Sequence, residues 1–222
     1  MMQGYIFNWS VVWRALPELA QGLLISVEVA LLSISLGMLI GGGAALARTS
    51  QSPALSRSAL IYVELMRNSP SLVKMYFIYF GLPSLGAFPS AFTSSVVALS
   101  LHNGAYMTEI FRGGLLAVPR GQIEAARSLG MGTWTTLNVV ILPQAFRNSL
   151  PALSNIWVEI IKDTSLTSAL AVKELFYVVS QQTSATLRTF EFLAVAALIY
   201  LVVTAALAGV MRMLEHRGRM RR

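Results

Sequence analysis

The sequence predicts an all-α fold: an integral membrane bundle of about five transmembrane helices forming a single domain over residues 16–217. Three observations predict it. Of the 222 residues, 55% are apolar and only 12% are charged, about half the charged share of a typical soluble domain. The apolar residues are grouped in runs of the length that crosses a bilayer, about 20 residues each. The charged residues fall mainly between these runs.

Five apolar runs are the predicted spans. The fourth is interrupted by Pro151 and by several polar side chains, so we expect a helix shielded from lipid by its neighbours. We expect it to break near Pro151 or beyond Lys162. The five runs cover residues 19–47, 59–80, 91–111, 145–170 and 190–211.

The arginines indicate the orientation of the bundle. If the first run crosses from outside to inside, eleven basic residues fall on one face and four on the other, each of the four close to an acidic residue. The positive-inside rule then places the N-terminus outside and the C-terminus in the cytoplasm. Residues 1–15 become an extracytoplasmic segment and residues 218–222 a basic cytoplasmic tail in a multi-pass protein of the cytoplasmic membrane.

Composition also excludes several classes of function. The net charge of +7 does not indicate nucleic acid, because the basic residues cluster at loops and the tail rather than along an aromatic-bearing surface. The chain has no cysteine, and its two histidines are 114 positions apart, so we expect no metal site. The N-terminus lacks the basic segment and cleavage site of a removable signal peptide.

The longest predicted cytoplasmic loop contains GQIEAARSLGMG, a short polar segment between apolar runs. Pro119 can begin a helix there and Gly130 can end it in the left-handed conformation. A second short helix is expected from Thr133 to Pro143. The small residues of the first helix favour a groove on another protein, while the alternative is an interfacial helix resting on lipid headgroups.

Ionisable side chains at membrane depth need partners or a polar path. In the third run, His102, Tyr106 and Glu109 share one helix face, with Asn103 beside them. The fourth run carries a comparable polar row. These two rows are the predicted substrate path, although the same charges could instead pair to hold the bundle together. The row in the fourth run consists of Asn155, Glu159, Lys162 and Asp163.

Two further intramembrane charges have other interpretations. Glu64 and Arg67, at i and i+3 in the second run, are expected to form a structural ion pair. Glu28 stands alone in the first run, where it could lean toward the outer interface, be protonated or meet a cation in the path. The spacing of Gly37 and Gly41 in that run predicts close helix packing.

No energy-coupling site is present in the sequence. It contains no GxxxxGK[ST] phosphate loop, and no lysine follows Gly41–Gly43. We therefore expect a non-enzymatic chain that binds no cofactor itself.

The loop and its surroundings resemble a known family. EAARSLGMGTWTTLNVVILP is similar to the EAA loop of ABC-transporter membrane subunits, with Val140 in place of the usual isoleucine. YVELMRNSPSLVKMYFIYFGLP, AYMTEIFRGG, VPRGQIEAA, ILPQAFRNSLP and IKDTSL extend the resemblance to bacterial permeases that import histidine, glutamine, arginine, glutamate and opines. The match covers nearly the whole chain.

The resemblance implies partners and roles. The loop would be a coupling helix docked on a cytoplasmic subunit that binds ATP and magnesium. Two such subunits, a second permease chain (identical or different) and an extracytoplasmic amino-acid-binding protein would complete the importer. An ion-coupled secondary transporter is the alternative, and a non-transporting scaffold is a third possibility. The residues expected to contact the ATP-binding subunit are Gly121, Glu124, Ala125, Ala126 and Gly130.

Overall fold

The computed structural model describes residues 6–219, with side chains through Glu215. Within that range the backbone is helical and contains no strand, as predicted. The predicted tail at 218–222 lies outside the described side chains. The helices are α1 (Ser10–Thr49), α2 (Pro53–Arg67), α3 (Ser71–Tyr76), α4 (Ala91–Leu116), α5 (Arg120–Ser128), α6 (Thr133–Thr135), α7 (Leu142–Asp163), α8 (Leu175–Thr186) and α9 (Thr189–Arg219).

Helices α1 and α9, the first and fifth predicted spans, are long and apolar enough to cross a membrane by length and composition. Helix α1 has 40 residues, which at 1.5 Å per residue gives about 60 Å, twice the hydrocarbon thickness. Its first turns therefore extend beyond the predicted span. They pack against α8 and α9 through a core cluster that includes Val12, Leu19, Val179 and Phe192.

The second predicted span is wrong as a single helix. Helix α2 ends at Arg67 and α3 begins at Ser71, because Pro70 has no backbone N–H and disfavours helical geometry at the residue before it. The side chain of Lys74 closes the break: its Nζ donates to the carbonyl oxygens of Met66 (2.8 Å) and Ser69 (2.6 Å). A π-helical turn (Phe77–Gly81) and a 3-10 turn (Leu82–Leu85) follow α3.

The fourth predicted span continues through Pro151, contrary to one expectation, and breaks beyond Lys162, in agreement with the other. Helix α7 ends at Asp163 and becomes a 3-10 turn over Thr164–Leu170. Proline is tolerated inside such helices where neighbouring helices shield the freed backbone groups. Helix α7 packs against α1, α4 and α9.

The expected stop at Pro143 is also wrong. A π-helical turn over Thr136–Ile141 joins α6 to α7, so one helical rod runs from Thr133 onward. The wider turn lies directly before the proline, where a regular α-helix would bring the ring against a carbonyl of the preceding turn.

Helix α8 lies outside the five predicted runs, and its serine, threonine and glutamine side chains interrupt any apolar run there. Its buried face consists of Leu175, Val178 and Val179. Glu174 is fully buried at its N-terminus, where its carboxylate accepts from the backbone N–H groups of Phe176 (2.9 Å) and Tyr177 (2.7 Å).

Helix α4 lies at the centre of the bundle and contacts α1, α2, α3 and α7. Gly37 and Gly41 of α1 face Gly104 and Met107 of α4, and a Cβ added at Gly41 would lie 2.8 Å from the Met107 Cβ. The prediction of close packing through these glycines is confirmed.

Candidate functional site

The polar segment of the long loop forms helix α5, as predicted. Pro119 has extended backbone geometry just before it, and Gly130 closes it at φ +78°. The Met131 N–H donates to the Ala126 carbonyl oxygen (3.1 Å), the pattern of a left-handed C-terminal cap.

Most of the expected contact residues on α5 face away from the bundle. Gly121, Glu124, Ala125 and Gly130 are exposed, whereas Ala126 is buried against the chain's own body. Ala126 therefore anchors α5 and is not available for a partner. This correction follows from the 3.6-residue helical period, which turns Ala126 to the opposite side from Gly121.

Two exposed apolar side chains next to α5 are not among the predicted contact residues. Leu129 is 82% exposed and Trp134 is 75% exposed. Both flank the left-handed turn at Gly130, so they add exposed apolar area next to α5. Apolar residues at the edge of a polar loop were the available signal.

The third and second predicted spans meet at the helix break. His102 Nδ1 lies 3.0 Å from the Met66 carbonyl oxygen, and the His102 ring contacts Tyr106 edge-on at 5.2 Å. The guanidinium of Arg67 lies over the Tyr106 ring, 5.0 Å from its centroid. The break thus gathers a cation, an imidazole and a phenol on one side of α4.

Arg67 and Glu64 do not form the predicted ion pair. Glu64 instead accepts from Asn68 Nδ2 at 2.8 Å, at the end of α2. Both side chains are exposed, so Arg67 is free to turn toward Tyr106.

Two members of the predicted row on α4 have structural contacts. Asn103 is 3% exposed and donates from Nδ2 to the Leu99 carbonyl oxygen, so it faces the interior of the fold. Glu109 bridges Arg112 (2.7 Å) and Arg48 (3.5 Å), which ties the end of α4 to the end of α1. His102 and Tyr106 are the part of the row that joins the cluster at the helix break.

The polar row on α7 faces outward. Asn155, Glu159 and Lys162 are exposed and Asp163 is half-buried, and none of these four forms an ion pair within the described residues. Glu159 lies close enough to the His102 ring to interact with it electrostatically. His102 of α4 and Glu159 of α7 therefore lie on the same side of the chain.

Comparison with known proteins identifies the family. The model of the family described as "Binding-protein-dependent transport system inner membrane component" matches residues 33–220. The chain belongs to this family. The resemblance predicted from the EAA loop is thereby confirmed, and the chain is a permease subunit of the ABC-importer type.

Individual relatives match along almost the whole chain. The glutamine transport system permease protein GlnP of Escherichia coli K12 is 37% identical over 215 residues, covering 95% of this chain and 97% of that protein. The octopine permease OccM of Rhizobium radiobacter is 34% identical, covering 94% and 89%. The L-cystine permease TcyB of Bacillus subtilis is 37% identical, covering 96% and 92%.

Solved structures give the same fold. An amino acid ABC transporter crystallised with histidines superposes with a TM-score of 0.87 at 34% identity, covering 96% of this chain and 100% of that one. An inward-facing MetNI methionine transporter has a TM-score of 0.69 at 17% identity, covering 93% and 99%, and supports the fold alone.

Proposed function

We propose that this permease forms half of the pathway by which an ATP-driven importer carries a polar amino acid, or an opine-like derivative, across the bacterial cytoplasmic membrane. The observation that carries the proposal is the outward-facing row on α7. Asn155, Glu159 and Lys162 would face hydrocarbon if one chain stood alone in a bilayer, at a high cost in free energy.

A second permease chain, identical or similar, would cover this row and enclose a polar path between the two. The exposed acid and base of α7 supply an acceptor for an ammonium and a donor for a carboxylate, the two groups that every amino acid presents. Arg67, His102 and Tyr106 at the helix break add cationic and hydrogen-bonding groups on the same side. Asp163 lies at the end of the row. Asn103 is buried within the fold, and Glu109 ties α4 to α1 through Arg48.

The ends of the bundle support the proposed orientation. Arg48 and Arg112 meet at Glu109, at the end from which α5 follows, and this is the arginine-rich face. The start of α1 packs against α8 at the other end. With the arginine-rich end in the cytoplasm, α5 points at cytosolic partners and α8 lies outside.

The partners follow from this arrangement. Two cytoplasmic subunits that bind ATP and magnesium would dock on α5 of the two permease chains, through Gly121, Glu124, Ala125 and Gly130. An extracytoplasmic binding protein would deliver substrate at the opposite end. This chain would catalyse no covalent step, and hydrolysis of ATP on its partners would drive the change of access.

Uptake measurements test the proposal. Cells expressing the chain with its ATP-binding, permease and binding-protein partners are given labelled glutamine, octopine or cystine in competition. We expect saturable uptake of at least one, abolished by ATP depletion and retained when an ionophore collapses ion gradients. Glu159→Ala should lower the rate about tenfold or more, the scale of one charge-assisted contact. Glu18→Ala, on an exposed acid of α1 remote from α7, is the control.

Uptake that disappears with the ion gradient but survives ATP depletion would contradict the proposal in favour of an ion-coupled carrier. Uptake that is unchanged by Glu159→Ala would contradict the assignment of the path to α7.

A further inference from the structure

A cavity outside the proposed pathway lies between α1, the start of α4 and the turn before α8. Its volume is about 450 Å³, and Ile25, Phe92 and Val172 supply apolar walls. Glu28 and Lys173 line the same cavity with opposite charges, and neither forms a hydrogen bond or an ion pair within the described residues. The cavity therefore contains an unpaired carboxylate and an unpaired ammonium next to apolar walls.

The cavity lies at the depth of the outer membrane interface. Glu28 is 20 positions before Arg48 in α1, and at 1.5 Å per residue this is about 30 Å, the thickness of the hydrocarbon layer. Arg48 belongs to the arginine cluster at the cytoplasmic end. Ser90, which caps the N-terminus of α4, also lines the cavity. Glu28 thus lies where lipid headgroups begin.

The exposed face of α1 around Glu28 is apolar and suited to contact with lipid. Leu24 and Leu31, one turn before and after it, are 69% and 60% exposed and share its helix face. This face of α1 is apolar, in contrast to the polar row on α7. An unpaired carboxylate between exposed leucines is costly unless a cation covers it.

We propose that this cavity binds the headgroup of a zwitterionic phospholipid that carries a primary ammonium, as in phosphatidylethanolamine. The headgroup ammonium donates to the Glu28 carboxylate, the phosphate accepts from the Lys173 ammonium, and the acyl chain lies along the apolar wall. The inference rests on the proposed membrane orientation. A free amino acid carries the same pair of charges, and the experiment separates the two sources.

Native mass spectrometry of the full chain, purified in mild detergent with the subunits it retains, measures the binding. Phosphatidylethanolamine and phosphatidylglycerol with identical acyl chains are titrated separately. We expect the wild type to prefer phosphatidylethanolamine. Glu28→Gln should lower the affinity for phosphatidylethanolamine about tenfold, because one charge-assisted hydrogen bond is lost. The affinity for phosphatidylglycerol should be unchanged. Lys173→Gln should weaken the binding of both lipids, and Lys173→Arg should restore the binding of both.

Glu18→Gln, which changes an exposed acid of the same helix, is the matched control and should bind both lipids as the wild type does. Equal binding of the two lipids by the wild type, or unchanged binding of phosphatidylethanolamine by Glu28→Gln, would overturn the inference. Displacement of the lipid by millimolar glutamine from the wild type but not from Glu28→Gln would also overturn it, in favour of a free amino acid.

If Glu28→Gln does not fold, the preference of the wild type between the two lipids tests the ammonium contact, and Lys173→Gln with Lys173→Arg tests the phosphate contact. The lipid measurement needs no transport. A chain that prefers phosphatidylethanolamine through Glu28 but imports nothing contradicts only the proposed function. A chain that imports substrate without any lipid preference contradicts only this inference.

Discussion

The contact between α1 and α4 can be tested with two adjacent glycines. An alanine Cβ at position 41 would lie 2.8 Å from the Met107 Cβ and 2.9 Å from the Gly104 carbonyl oxygen. At position 42 no atom lies within 4 Å of an added Cβ. Gly41→Ala and Gly42→Ala are therefore the same chemical change in the same helix, one against a neighbour and one against open space.

The size of the difference follows from the geometry. Carbon atoms are most favourably about 3.5–4.0 Å apart, so Gly41→Ala requires α1 and α4 to separate by about 0.7 Å. Neither Met107 Cβ nor the Gly104 carbonyl can turn aside. Both variants gain about 0.5–1 kcal/mol in helix propensity, which cancels in the comparison. The remaining difference is the cost of overpacking, about 1–3 kcal/mol in the free energy of unfolding.

Thermal unfolding of the purified chain in detergent measures this difference. At about 2–4 °C per kcal/mol for a chain of this length, Gly41→Ala should unfold at least about 2 °C below Gly42→Ala. Gly42→Ala should match or exceed the wild type. A Gly41→Ala chain that unfolds at or above the temperature of Gly42→Ala would refute the close α1–α4 contact.

Three further changes have expected outcomes in the same assay. Gly114→Ala should be less stable than Gly113→Ala by about 1–3 kcal/mol in the free energy of unfolding. A Cβ at position 114 would lie 2.5 Å from the carbonyl oxygen of Ala145, whereas position 113 is open. Equal stability of the two variants would contradict the α4–α7 contact. Lys74→Met should cost about 2–4 kcal/mol in the free energy of unfolding, since it leaves the carbonyl oxygens of Met66 and Ser69 without their donor. An unchanged free energy of unfolding would show that Lys74 does not stabilise the α2–α3 break. Glu174→Gln should cost about 1–3 kcal/mol in the free energy of unfolding. The two carboxylate oxygens accept from separate backbone N–H groups, of Phe176 and Tyr177, whereas an amide has only one acceptor oxygen. An unchanged unfolding temperature would contradict the role of Glu174 as the cap of α8.

Apolar runs and local backbone preferences in the sequence predicted much of the fold. The apolar runs located α1, α4 and α9, because hydropathy summed over about 20 residues outweighs single polar positions. The limits of α5 followed from Pro119 and Gly130, whose backbone preferences are local. The Gly37–Gly41 contact followed from side-chain size alone.

Features that depend on tertiary contacts were harder to predict. The break at Pro70 is closed by Lys74, whose role depends on the position of α3 relative to α2. Pro151 stays inside α7, which packs against α1, α4 and α9, and Ala126 is buried because of how α5 lies on the bundle. Glu64 and Arg67 have the spacing of an ion pair, but Asn68 and Tyr106 provide competing partners.

The central claim is that α5 docks an ATP-binding subunit, and co-purification tests it most directly. The tagged chain is purified from mild detergent as wild type, Glu124→Arg, Gly121→Trp and Gly209→Trp, and the retained subunits are identified by mass spectrometry. Positions 121 and 209 both have open space for a side chain, so the two tryptophan variants differ in location rather than in internal strain. We expect an ATP-binding subunit with the wild type and Gly209→Trp, and its loss from Glu124→Arg and Gly121→Trp. Equal retention by all four folded chains, or by none, would contradict the assignment of α5 as the coupling helix.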